Sequence, residues 1–227
     1  MAGSFDWLPA NLGDSVSQAV DHVQHSASSL FDGQEHEPPR SRSHSYRASR
    51  TSFKTGEGEG SCGGEMVLPK GATLTPGFSP EGTSEGVVLR ALHEASEGDG
   101  ERTLLVAAYE FTSIPIARAV VAAKDSGARV AVVVDPTENQ KRASQVRFLV
   151  EHGVPVREDH QRAMLHDKFF VVNGSTLELG SFNYTRAAAS DQHAENAVVL
   201  RHVPDEAACY IAHWKRLWDE STAVGNM

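Results

Sequence analysis

Two largely apolar runs, residues 103–109 (TLLVAAY) and 128–134 (ARVAVVV), constrain this chain more than any other feature. Neither alternates polar with apolar, so each reads as a strand buried on both faces. Between them, residues 113–126 have helical spacing and stop at Gly127, a natural C-cap. Similar segments surround this unit. Residues 84–96 and 139–151 read as helices, the second closing near Gly153, and 154–157 as a short strand. Residues 165–172 and 176–179 form a strand pair around Asn173-Gly174, a strong hairpin signal. A strand over 194–200 and a helix over 204–220 complete the pattern. Apolar strands alternating with helices predict an α/β fold, a mixed β-sheet sandwiched by helices.

This regular pattern begins near residue 72, which sets the expected organisation. Residues 72–227 form the folded domain. Residues 32–71 read as a disordered linker, Ser/Arg-rich and then Gly-rich (GEGEGSCGGE, 56–65). Residues 1–31 read as an amphipathic helix, with Leu12, Val16, Ala19, Val20, Val23, Ala27 and Leu30 at helical spacing. That helix could dock on an unknown partner, lie on a membrane or pack on the domain. No Lys or Arg precedes Arg40, so anionic lipid has little to attract it.

Charge limits the ligands. The 227 residues carry a formal charge of -9, so no general basic surface draws in nucleic acid. The exception is residues 38–54, where Arg40, Arg42, Arg47, Arg50 and Lys54 occur without an acid. This stretch is either a polyanion contact or a solvated linker. No apolar run of about 18 residues predicts a membrane span, and no basic-then-apolar leader is visible. The two cysteines, Cys62 and Cys209, exclude a disulfide framework and a CxxC metal site. A single bridge between them stays open, while a reducing cytoplasmic setting is the simpler expectation; non-Sec export also stays open.

The chemistry concentrates in residues 164–185, MLHDKFFVVNGSTLELGSFNYT. His166 and Lys168 are two apart on an expected strand, so their side chains share a face. A histidine and a lysine within an apolar strand are costly unless an anion meets them. The polar loop after the next strand presents Ser181 and Asn183. A nucleophile, a cation and neutral hydrogen-bond donors are the parts needed to bind and attack a phosphate.

The spacing resembles the HxK(x)4D(x)6GSxN signature of the phospholipase D superfamily, read here as His166, Lys168, Asn173 at the aspartate position, then Gly180, Ser181 and Asn183. Further stretches resemble its small single-motif bacterial endonucleases: GFSPEG (77–82), AAYEFTS (107–113), the end of VVVD (132–135) and ENAVVL (195–200). The resemblance covers about 72–220. It implies that one His166 attacks phosphorus to give a phosphohistidine, while a second His166 protonates the leaving oxygen. Lys168 and Asn183 would hold the non-bridging oxygens with Ser181 nearby, and Glu195 would orient the histidine. Neither metal nor cofactor is implied. Only one HxK of the chain is followed by GSxN and there is no internal repeat, so the second histidine must come from another copy, in a homodimer with a shared active site.

Asn173 departs from the signature: it keeps the size and one acceptor of aspartate but not the charge. It is nearly silent if this position only ties the hairpin, and harmful if its charge tunes the neighbouring cations. His93, His152, His160, His193, His202 and His213 show no ligand spacing, and Trp214 and Trp218 read as packing residues. Three functions fit. The first is a metal-independent nuclease on DNA or RNA; the second is a phospholipase D acting on phosphatidyl headgroups or cardiolipin. The third is an inactive phosphate-binding scaffold.

Overall fold

A computed structural model describes residues 62–225. The expected helix over 1–31 and most of the expected linker lie outside the described residues. Of these, residues 64–225 belong to one compact unit. It is built on an eight-stranded mixed sheet, as the apolar runs predicted.

In chain order the elements are β1 (Thr73–Ser79), α1 (Ser84–His93), β2 (Thr103–Ala108), α2 (Ile114–Asp125), β3 (Arg129–Val134) and α3 (Pro136–Asn139). Then come α4 (Val146–Glu151), β4 (Val156–Glu158), β5 (Lys168–Val172), β6 (Thr176–Gly180), β7 (Glu195–Arg201), α5 (Pro204–Glu220) and β8 (Thr222–Ala223). The strand order is β1-β7-β6-β5-β2-β3-β4-β8, with β2, β3 and β4 parallel and every other pair antiparallel. The buried parallel centre is the part written as TLLVAA and RVAVVV, all but fully enclosed.

Strand alternation divides the core into two layers. Leu104, Val106, Val132, Val134, Phe170 and Val172 pack with α1, α2 and α4. On the opposite face Phe169 meets Tyr210 of α5 edge-on, at 5.0 Å between ring centres. Trp214 of α5 reaches through to donate its indole N–H to the Val106 carbonyl at 2.8 Å. Trp214 and Trp218 stack at 5.1 Å, the packing role expected for them.

Two local expectations are revised, and one alternative left open is decided. Residues 139–151 are not one helix, because α3 stops at Asn139, whose side chain turns inward to bond Phe111, Tyr109 and Asp135. The strand containing the HxK motif begins at Lys168 rather than residue 165. Upstream, the amide of Leu165 is captured by the Asp135 carboxylate at 2.9 Å, and only the Asp167 carbonyl still bonds to Tyr109. Neither cysteine is a free thiol: Cys62 and Cys209 are both disulfide-bonded. Among the described residues, no helix is long and apolar enough to cross a membrane.

Candidate active site

The site lies at one end of the sheet, where β1, β2 and β6 finish and β5 and β7 begin. The register fixes this: Lys168 pairs with Ala108, Gly180 with Ala197, and Glu195 with Ser79. His166 sits in the extended lead-in to β5. Its imidazole is exposed and makes no hydrogen bond among the described residues. The ring lies 4.7 Å from the ring of Tyr109, centre to centre, at a tilt of 58°.

Lys168 is 9 % exposed. Its ammonium donates to the His166 carbonyl at 2.7 Å and sits 4.9 Å from the Tyr109 ring centre, close enough for a cation–π contact. Burial lowers its pKa, against the opposing pull of Asp167 and Glu195. One tyrosine thus touches both motif side chains, and sequence reading did not find it. Tyr109 closes the apolar run TLLVAAY, where it looks like one more core residue. Burial first, and then the charges of Glu138 and Asp135, raise its pKa. Asn139 holds it in place by donating to its carbonyl at 2.8 Å.

The GSFN loop is held from β7. The amides of Ser181 and Phe182 both donate to the Asn196 carbonyl at 3.1 Å. A side chain at Gly180 would collide with that same carbonyl. Ser181 donates its hydroxyl proton to Glu195 at 2.5 Å and accepts from the Asn196 amide at 3.0 Å. The other Glu195 oxygen faces His193 Nδ1 at 3.2 Å. Within one chain, then, Glu195 holds Ser181 and His193 rather than His166, and His193 joins the cluster unannounced by its spacing. Asn183 is half-buried, and its Oδ1 is shielded from solvent without a hydrogen-bond partner.

Asn173 is elsewhere. It stands beyond the far end of β5, five residues from Lys168, or roughly 16 Å at about 3.3 Å per residue. With φ of 50° it opens the three-residue hairpin turn. Its Oδ1 accepts from the Thr103 amide at 3.0 Å and its Nδ2 donates to the Glu94 carbonyl at 3.3 Å. The position ties the hairpin to β2 and to the turn after α1.

The arrangement offers an exposed imidazole beside a partly buried ammonium, with the Asn183 side-chain amide, whose Nδ2 can donate, and the Ser181 hydroxyl on the adjoining loop. Such a cluster suits a phosphate, whose charge the ammonium meets and whose phosphorus the imidazole can approach. Among the described residues, no group of three or more His, Cys, Asp and Glu side chains could hold a metal ion.

Comparison with known proteins identifies the family and the fold. A family profile described as "Cardiolipin synthase, PLD-like domain" matches residues 88–218, more than half of the chain. Among solved structures, a phospholipase D family member, Nuc from Salmonella typhimurium, superposes with a TM-score of 0.62 at 34% identity, covering 67% of this chain and 98% of that one. Mitochondrial cardiolipin hydrolases of Chlamydomonas reinhardtii and Mus musculus are 31% identical over 122 residues and 29% identical over 154. They are matched over 54% and 66% of their own length, so the chain spans about half to two-thirds of these curated relatives. Fold, motif register and similarity converge, and the chain belongs to the phospholipase D superfamily.

Proposed function

We propose that this protein hydrolyses phosphodiester bonds through a phosphohistidine intermediate, without a metal, and that its substrate is DNA or RNA. The observation that carries the proposal is Lys168: a largely buried lysine, its ammonium bonded only to a neutral carbonyl, stands at the mouth of the site beside an exposed His166. Burying an ammonium without an ion-pair partner destabilises a fold, so the position makes sense as a receptor for an anion.

In this reading the neutral imidazole of His166 donates its lone pair to phosphorus and the P–O bond to the leaving group breaks. A protonated His166 of the partner subunit gives its proton to the departing oxygen. Water then attacks the phosphohistidine, losing its proton to that second histidine, and the P–N bond breaks. Two imidazoles sharing a site can hold the opposite protonation states through coupled titration. Proton donation to the leaving group is worth about 10² to 10⁴ in rate. Lys168 and Asn183 hold the non-bridging oxygens; Ser181 and Glu195 brace the loop that carries Asn183. Nucleic acid as substrate is favoured by the resemblance of GFSPEG (77–82), AAYEFTS (107–113) and ENAVVL (195–200) to the single-motif bacterial endonucleases of the superfamily.

A phospholipid substrate is the second reading, favoured by the cardiolipin hydrolases among the relatives. Phe78, Ile114 and Met164, all near the site end of the sheet, are 47%, 50% and 51% exposed, and such side chains suit an acyl surface. The disulfide-bonded cysteines fit an oxidising compartment better than the reducing cytoplasm.

Purified protein in EDTA, assayed on single- and double-stranded DNA, RNA, phosphatidylcholine and cardiolipin vesicles and bis-p-nitrophenyl phosphate, separates these readings. Cleavage of nucleic acid that vanishes in His166→Ala is the expected result. Turnover of lipid alone establishes the second reading. Turnover of nothing leaves a phosphate-binding scaffold, and loss of activity in EDTA ends the metal-free mechanism.

A further inference from the structure

A second ionisable pair lies behind the site and takes no part in the chemistry above. Glu178, in the middle of β6, is completely buried between Phe170 of β5 and Val199 of β7. Its Oε2 accepts a hydrogen bond from the Tyr184 hydroxyl at 2.6 Å, while Oε1 has no partner. A lone carboxyl in so apolar a wall is too expensive to be incidental.

Tyr184 follows Asn183 directly and is itself fully buried. Its carbonyl accepts from the amides of Thr112 and Ser113 at 2.9 and 2.8 Å, which joins the GSFN loop to the loop after β2. Its ring packs edge-on to Phe111 at 5.8 Å and tilted against Phe182 at 6.5 Å. Asn183 therefore lies between two anchors: Ser181 and Phe182 on the Asn196 carbonyl, and Tyr184 on Glu178. The second anchor also continues through Phe111 and Asn139 to Tyr109, the ring against His166 and Lys168.

Resting on the phosphodiesterase reading, we propose that Glu178, acting through Tyr184, is a positioning residue for Asn183 that holds the GSFN loop in its working place. Burial pushes its pKa up to about 8, with the Tyr184 hydrogen bond pulling the other way. The carboxyl is thus largely neutral at neutral pH. Once ionised it is a buried anion with one hydrogen bond and one bare oxygen, a state relieved by admitting water and disturbing the loop. Tyr184 is the titratable group acting on it. Of the titratable side chains on α1, which packs over this face, Arg90 and His93 are exposed and Glu85 accepts from Ser113 at 2.9 Å.

The test compares the full chain with Glu178→Gln and Tyr184→Phe on bis-p-nitrophenyl phosphate from neutral to alkaline pH. It also follows the backbone amide NMR shifts of Ser181, Asn183 and Tyr184 in the wild type over the same range. Glutamine keeps an acceptor for Tyr184 but cannot ionise, so kcat at neutral pH stays within about twofold and the alkaline fall near pH 8 disappears. Tyr184→Phe removes the anchor, and kcat drops about tenfold or more with KM little changed. The three amides shift together with a midpoint near 8. Variants that match the wild type in kcat and pH profile, whatever their melting temperatures, overturn the proposal. So do amides that show no common midpoint, and that result stands even if neither variant folds. A wild type inactive on the diester strikes the phosphodiesterase reading instead, and the amide titration still decides the positioning role.

Discussion

Lys168 sets stability against chemistry at a single side chain. Its ammonium is lowered in pKa by burial and has one hydrogen bond, to a neutral carbonyl, against a carboxylate field that only partly compensates. Replacing such a group by an apolar one of similar length is often neutral or stabilising. Lys168→Met is therefore expected to abolish hydrolysis, by at least about 10²-fold, while the unfolding free energy stays level or rises by about 1 kcal/mol. Urea denaturation beside the activity assay checks both halves; a large loss of stability would mean that the ammonium supports the fold. Asn173 is the converse case. Its amide uses both ends, accepting from Thr103 and donating to the Glu94 carbonyl, roughly 16 Å from Lys168 along β5. Asn173→Asp restores the residue of the superfamily signature but points a carboxylate at a carbonyl oxygen. The expected outcome is kcat unchanged within about twofold and a loss of about 1 kcal/mol in stability, measured by the same assays. His166 and Lys168 were legible in the sequence because charge within an apolar run is conspicuous. By the same logic Glu178 in TLELG could have been found. Tyr109 could not, since an aromatic residue closing an apolar strand is ordinary until its neighbours are known.

Among the elements, the buried strands were the easiest to read and the edge strand the hardest. Residues 103–108 and 129–134 carry their burial in composition alone. β1 (TLTPGFS) contains Pro76 and Gly77, which argue against a strand in isolation. It is tolerated because β1 is the sheet's edge and pairs only with β7. Gly77 is further explained by a contact invisible in sequence: a Cβ there would lie 2.9 Å from the Thr83 carbonyl and the Ser84 Cα at the start of α1. The turn between α3 and α4 was hidden for a related reason. Asn139 looked like a helix start, whereas its side chain replaces helical hydrogen bonds with tertiary ones. Gly180 shows an element and the site depending on the same atom. The Asn196 carbonyl anchors the loop amides and lies where an alanine methyl would fall. Gly180→Ala must push β6 from β7 at that point. Its expected effect is a destabilisation of about 2–3 kcal/mol and a fall in kcat/KM beyond what the unfolded fraction explains, since Ser181 and Asn183 move with the loop. Thermal melts combined with kinetics on the folded fraction test this; full activity in a destabilised variant would separate the loop from the anchor.

For the whole molecule the central question is arithmetic. The proposed mechanism needs two histidines with opposite protonation, and only one HxK of the chain, at His166, leads into GSxN; the other, at His213, lies on α5. His166 is exposed and free of hydrogen bonds among the described residues, and Glu195, which the signature would aim at it, is engaged with Ser181 and His193. The proposed shared site would supply, from a second copy, the partners that this imidazole lacks among the described residues. Co-expression of wild-type and His166→Ala chains, distinguished by tags and allowed to mix freely, turns this into a number. If each site needs two intact histidines, mixed dimers are inactive. With equal amounts of the two chains, activity per total protein then falls to about one quarter of wild type, the fraction of dimers with two good copies. If one chain suffices, activity falls only to about one half. Purified mixed dimers sharpen the distinction, since the shared site predicts none of the wild-type rate and independent sites predict half. A titration curve that is linear in the wild-type fraction, rather than quadratic, would return the second proton-transfer group to within the chain and make His193, already bonded to Glu195, the residue to test next.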